Sequence, residues 1–110
     1  MGTFVTGDVV VAPFPYSDLS AAKKRPALVV AVLTGNDVIL CQITSQAVAD
    51  SYAVPLIDLD FTNGGVRQIS NIRPNRLFTA ETSIILYRAG SISAAKLHEV
   101  RTKLMQLLTT

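Results

Sequence analysis

Apolar positions fall in short runs along most of this chain and at helical spacing only near its end. Gly7-Asp8 reads as a turn. Val9 to Phe14 is an apolar run long enough for a strand and too short for a typical helix. Pro13 and Pro15 are expected to stop it, because proline lacks the N–H that a ladder needs. Tyr16 to Lys24 is polar and rich in small residues, so it reads as a loop. Arg25 to Val32 follows as a strand whose Ala, Leu and Val content predicts burial on both faces. Thr34-Gly35-Asn36-Asp37 is a turn, and the short spacing predicts a hairpin with Val38 to Gln46. Alternation puts Val38, Leu40, Gln42 and Thr44 on one side of that strand and Ile39, Cys41 and Ile43 on the other. The first side turns polar towards its end, as a strand does where it leaves the core at a site.

Ala47 to Ser51 reads as a connector. Tyr52 to Ile57 is a further strand, which Pro55 places at an edge. Asn63-Gly64-Gly65 is a strong turn signal. Gln68 to Arg73 and Arg76 to Phe78 form one strand interrupted by Pro74 at a bulge. Ser83 to Arg88 is the last strand, closed by Ala89-Gly90. Ser93 then suits a helix N-cap. Leu97, Val100, Leu104, Leu107 and Leu108 recur at helical spacing, with Lys96, Glu99, Arg101 and Lys103 pointing mostly to water. His98 lies beside the apolar stripe and is expected at the surface rather than in catalysis.

Short strands followed by one amphipathic helix predict a mainly β fold, a small curled sheet or partial barrel with the helix packed on it. The 110 residues fit one domain, 1–110, around one core. With 49% apolar and 16% charged residues the composition is globular. A formal net charge of +2 is too small to argue for nucleic acid by itself, so local clusters decide. The one cysteine, Cys41, cannot form an internal disulfide and reads as a small buried hydrophobe. No basic segment followed by a long apolar run opens the chain, and no run reaches a membrane span. The expectation is a cytoplasmic protein without membrane contact. No Cys/His cluster suggests a metal, and no glycine-rich nucleotide loop is present.

Three features carry candidate chemistry. Arg25 follows Lys23 and Lys24 where loop becomes strand; Thr44 closes a strand, followed by Ser45 and Gln46; Arg73-Pro74-Asn75-Arg76 clusters two arginines and an amide. Arginine grips a phosphate with paired hydrogen bonds. A threonine hydroxyl can donate to a non-bridging oxygen. Together these suit an anion that gains charge in a transition state. Ser/His/Asp and Cys/His arrangements for a covalent hydrolase are lacking. Each residue also has a structural reading: a surface ion pair for Arg25, a favourable strand position for Thr44, exposed strand charge for Arg73 and Arg76. Phe14, Tyr16 and Phe78 could stack on bases, with the core the stronger reading for the two phenylalanines.

The segment GDVVVAPFPYSDLSAAKKRPALVV resembles the opening of the MazF/PemK family of toxin endoribonucleases. CQITSQ is similar to that family's next strand, SNIRPNRLFTAE to its Arg-containing segment, and GSISAAKLHEVRTKLMQLL to its closing helix. The resemblance spans nearly the whole chain in order. It implies a small SH3-like barrel with a C-terminal helix, usually a homodimer with single-stranded RNA bound across two subunits. It implies cofactor-free, metal-independent cleavage in which the substrate's own 2′-OH attacks, leaving a 2′,3′-cyclic phosphate and a 5′-OH; DNA lacks that nucleophile. It also implies a cognate antitoxin peptide.

By the resemblance, Arg25 is the transition-state arginine, Thr44 positions the scissile phosphate, and Arg73 is a second arginine used as acid or charge stabiliser. Asn75 stands where many members carry an acidic base, and an amide cannot take up a proton at neutral pH. Lys23, Lys24, Tyr16, Ser45, Gln46 and Arg76 are the expected RNA contacts. Glu81 matches an acid of the same segment without a place at the chemistry. Two alternatives stay open. One is a non-catalytic toxin of the CcdB type, which resembles this fold and poisons DNA gyrase by protein contact. The other is a regulator that binds nucleic acid at its own operon, against which the weak net charge argues.

Overall fold

A computed structural model describes residues 3–14 and 23–110. The expected loop from Tyr16, Tyr16 itself included, lies outside the described residues up to Ala22. Among the described residues, seven strands and one helix follow in order. These are β1 (Asp8–Phe14), β2 (Lys23–Val32), β3 (Asp37–Thr44), β4 (Val54–Leu56), β5 (Phe61–Gly64), β6 (Ser70–Glu81), β7 (Tyr87–Ile92) and α1 (Ala94–Leu108). The strands form one curled antiparallel half-barrel in the order β4-β6-β3-β2-β1-β7-β5. The mainly β architecture with a C-terminal helix is as the sequence predicts.

Alternation splits the apolar residues between the two faces of the sheet. On one face Val9, Leu28, Cys41, Ile43, Ile72 and Val100 pack together, with Leu97 and Leu104 of α1 against them. On the other, Val10, Phe14, Ala27, Val29, Val38 and Leu40 pack with Phe78. Each strand at the centre of the sheet therefore feeds two clusters. That is why β2 and β3 read as nearly continuous apolar runs. Phe14 and Phe78 meet edge to face with ring centroids 4.5 Å apart, which places both in the core.

Several boundaries differ from expectation. Asp8 is buried and opens β1 rather than lying in a turn; its carboxylate accepts from Val5 N and Ser91 Oγ, both at 2.9 Å. Pro13 does not stop β1 but pairs with Lys24. Pairing with β7 ends at Val11, so Pro13 sits where β1 has a single ladder and a missing N–H costs little. Gly64 closes β5, a strand the turn signal hid. The final strand is shifted: Thr82–Ile84 is a 3-10 turn and β7 begins at Tyr87. The turn at Gly35, with φ +77°, and the edge position of β4 are as expected.

The helix start also holds. Ser93 Oγ accepts from Lys96 N at 3.2 Å. Lys96, expected in water, is instead tied down. Its ammonium donates to Pro55 O at 2.9 Å and Glu99 Oε1 at 3.0 Å, and lies 3.6 Å from Asp60. Lys103 donates to Ser51 O at 3.1 Å. Two lysines thus anchor α1 to the chain from Ser51 to Asp60. Among the described residues no helix is long and apolar enough to cross a membrane.

Candidate functional site

Strand register builds a polar face on the sheet. Ala27 of β2 pairs with Gln42 of β3, which pairs with Arg73 of β6. In the next row Thr44 pairs with Asn71, and the β2–β3 register continued by two residues sets Arg25 abreast of Thr44. Antiparallel partners share a face, and neighbouring strands lie about 4.8 Å apart. Arg25, Thr44 and Asn71 therefore form one row, with Gln42 and Arg73 beside it. Arg25 is half-buried and makes no ion pair among the described residues. Gln42 and Thr44 are only 9% and 8% exposed. The polar end of β3 stays buried rather than leaving the core.

Thr44 has its acceptor side committed. Its hydroxyl oxygen accepts from Gln46 N at 3.1 Å, which folds Ser45 and Gln46 back over the strand end. Its own proton has no acceptor among the described residues and remains available to an incoming oxygen. Asn71 Nδ2 makes a long 3.4 Å contact with Gln46 O on the far side of the same turn. Ser45 and Gln46 are exposed at this rim.

A bulge places the Arg73 cluster. One step along β3, from Cys41 to Gln42, spans the stretch from Leu77 to Arg73 on β6. Pro74, Asn75 and Arg76 therefore stand outside the β3 ladder. Pro74 is tolerated there, and the bulge turns Asn75 and Arg76 towards solvent. The Cys41 thiol donates to Arg73 O at 3.0 Å where the ladder is broken. Burial pushes that thiol up to about 12, so Cys41 is an inert core group.

The Arg73 side chain is 20% exposed and turns to Asp50, with Nη2 2.8 Å from Oδ2. Asn75 Nδ2 makes a long 3.5 Å contact with the same oxygen. Asp50 Oδ1 accepts from Tyr52 N at 3.0 Å and Ala53 N at 3.2 Å. Partial burial pushes the Asp50 carboxyl up. The hydrogen bonds from Arg73, Tyr52 and Ala53 and the guanidinium charge outweigh it and hold the group below its ordinary value. Arg73 Nε is buried and has no hydrogen-bond partner among the described residues. A buried donor left open is costly.

Arg25, Thr44, Arg73 and Asn75 are thus brought to one region. Lys23 shares the alternation of Arg25 and is exposed at the same end of β2. Lys24 does not join them. It lies within β2 rather than in a loop and faces the opposite side, lining a groove of about 680 Å³ with Val9, Val11, Pro26, Arg67 and Arg88. Sequence reasoning missed Asp50 and Asn71. Asp50-Ser51 carried one usable signal, since an aspartate readily accepts from N–H groups two and three residues on.

Known proteins share this fold. Solved structures with the same fold include an endoribonuclease in complex with its cognate antitoxin from a mycobacterial species. It is 15% identical, with a TM-score of 0.78 over 97% of this chain and 96% of that one. MazF from Deinococcus radiodurans is 21% identical, with a TM-score of 0.77 over the whole of both chains. MazE–MazF from the same organism gives 20% identity and a TM-score of 0.74 over 98% and 97%. Among curated protein sequences nothing matches. The model of the PemK-like, MazF-like toxins of type II toxin–antitoxin systems matches residues 6–108, and this chain belongs to that family.

Proposed function

We propose that this chain is a toxin endoribonuclease that cleaves single-stranded RNA at short sequences. The 2′-OH of the substrate attacks the neighbouring phosphate without a metal, giving a 2′,3′-cyclic phosphate and a 5′-OH. The observation that carries this reading is the row of Arg25 and Thr44 with Arg73 beside it on one rigid face. The register sets two guanidiniums and a hydroxyl on one face, donors that suit a phosphate. In a site of low dielectric such donors are strong, and they need no reorganisation as charge builds on the phosphorane.

In this reading Arg25 stabilises the charge of the transition state and Thr44 holds a non-bridging oxygen. Arg73, on the same face, adds its charge beside the same phosphate. Lys23, Ser45, Gln46 and Arg76 grip the strand at the rim, and Tyr16 is a further RNA contact. Two subunits form the working unit. Exposed Val32, Leu33, Ile84 and Leu86 support a second copy, since Thr82 N bonds Asn36 O and draws the two turns that carry them together. A cognate antitoxin peptide silences the site, a reading supported by the family and by the antitoxin-bound relatives. No observation favours the gyrase-poisoning alternative.

The test is incubation of the purified protein with mixed-sequence RNA in EDTA, with mapping of product 5′ ends. Fragments bearing 5′-OH and cyclic phosphate ends at a recurrent short sequence are expected. RNA left intact across several substrates would overturn the proposal.

A further inference from the structure

Attack by a 2′-OH at neutral pH requires a group that can take its proton. Arginine and an amide cannot do so, and Arg25, Arg73, Asn71 and Asn75 are all of those kinds. Thr44 is no better, since its hydroxyl is not basic. Among the described residues, one carboxylate is in hydrogen-bond contact with this cluster. It is Asp50, 2.8 Å from Arg73 and 3.5 Å from Asn75. The other described carboxylates are held elsewhere. Asp37 and Glu81 are ladder partners at the far end of β3 and β6, Asp60 and Glu99 bind Lys96, Asp58 accepts from Val66 N, and Asp8 binds Ser91.

We infer that Asp50, delivered by the segment after β3, is the general base that accepts the proton of the attacking 2′-hydroxyl. This rests on the RNA cleavage proposed above. The two oxygens of Asp50 have separate tasks. Oδ1 is committed to Tyr52 N and Ala53 N, which fixes the carboxylate to its own turn. Lys103 of α1 holds the carbonyl of the next residue, Ser51. Oδ2 faces the site. Its partner Arg73 shares the face of Gln42, Thr44 and Asn71 on which the phosphate is proposed to sit, and the attacking oxygen must lie about 3–3.5 Å from phosphorus. A carboxylate bonded to the phosphate-binding arginine is therefore within reach of that hydroxyl.

Substrate also makes Asp50 a better base. Its phosphate competes for Arg73 and adds a like charge beside the carboxylate, and both changes favour protonation. In the step, the 2′-OH proton passes to Oδ2 as the 2′-oxygen bonds phosphorus. The P–O5′ bond breaks and its electron pair stays on the 5′-oxygen, which takes a proton from water. The resulting hydroxide removes the proton from Asp50 and restores the carboxylate.

Wild type, Asp50→Asn and Asp50→Asn/Asn75→Asp are compared for single-turnover cleavage of mixed-sequence RNA in EDTA. Binding of 2′-O-methyl RNA and the melting temperature are measured beside it. The amide in Asp50→Asn keeps an oxygen for the Tyr52 and Ala53 N–H groups, so the turn is retained. Asp50→Asn should slow cleavage about a hundredfold while affinity stays within about threefold, and Asn75→Asp in that background should recover about tenfold or more. Cleavage by Asp50→Asn within about threefold of a cleaving wild type overturns the role of Asp50 alone. A defect that Asn75→Asp leaves untouched also overturns it, making Asp50 a positioning residue for Arg73. Wild type that leaves RNA intact overturns the cleavage reading itself, and this inference with it.

Discussion

The Cys41 thiol donates to the carbonyl oxygen of Arg73 at 3.0 Å, across the point where the β3–β6 ladder breaks. A core side chain thus supports the backbone of a candidate-site arginine. The thiol is fully buried and pushed up to about 12, so almost none of it is thiolate at neutral pH. Native protein should therefore resist iodoacetamide at pH about 8 and react only on unfolding. Cys41→Ala removes the donor and leaves a small void. A loss of about 1–3 kcal/mol in urea denaturation is expected. Rapid alkylation of the folded protein would show that β3 opens locally.

Arg25→Ala should lower the cleavage rate by on the order of a hundredfold or more, the usual cost of one charged stabiliser. Arg25→Lys keeps the charge and loses the paired donors, and should recover only part of that rate. Arg25 makes no ion pair among the described residues, so little stability should be lost in either variant. Single-turnover kinetics beside thermal melts separate the two effects. A rate unchanged in Arg25→Ala would remove it from the mechanism.

Thr44 offers a sharper contrast. Its oxygen accepts from Gln46 N, while its proton has no acceptor among the described residues. Thr44→Ser keeps both functions and should cleave within a few-fold of wild type. Thr44→Val keeps the shape, removes the hydroxyl and strands the Gln46 N–H. A loss of about tenfold or more in rate, with destabilisation of about 1 kcal/mol, is expected. Equal rates for the serine and valine variants would assign Thr44 to packing alone.

Much of the fold was legible because alternation is local. The paired faces of β3, the hairpin at Gly35 and the Ser93 cap follow from residues within a few positions of one another. What escaped depends on distant partners. β5 exists because Gly64 can lie against Gly90, and β7 begins at Tyr87 because its ladder partners on β1 are Val11 to Asp8. Lys96 reads as surface until Pro55 O and Asp60 are folded beside it. The site divides in the same way. Arg25, Thr44 and Arg73 are visible as residue types at strand positions. Asp50 enters only because the bulge at Pro74 and the turn before β4 meet, with Asp50 and Arg73 23 residues apart in sequence.

The Gly64–Gly90 approach is directly testable. The two residues pair between β5 and β7, and a Cβ on Gly90 would overlap Asn63 O. Backbone cannot withdraw as a flexible side chain can. Gly90→Ala should therefore cost about 2–4 kcal/mol, read as a lowered urea midpoint. Gly35 has open space around its Cβ position, so Gly35→Asn, which accepts a positive φ, should cost far less. Equal losses for the two would show that turn conformation rather than strand approach governs this side of the sheet.

The Asp50–Arg73 pair makes stability depend on pH in a defined direction. Burial raises the folded-state value of Asp50, but the hydrogen bonds from Arg73, Tyr52 and Ala53 and the Arg73 charge outweigh it, so the net shift is downward. An unfolded chain would titrate this group near pH about 4. Its stabilisation is then fully present above that pH and is lost as pH falls through the lower folded value. Wild type should melt above Asp50→Asn at neutral pH, and the two curves should converge as the pH drops below about 4. The pair is partly exposed, so the neutral-pH gap should shrink in molar salt. A gap that persists undiminished in acid would mean that Asp50 stabilises the fold through its turn and not through its charge.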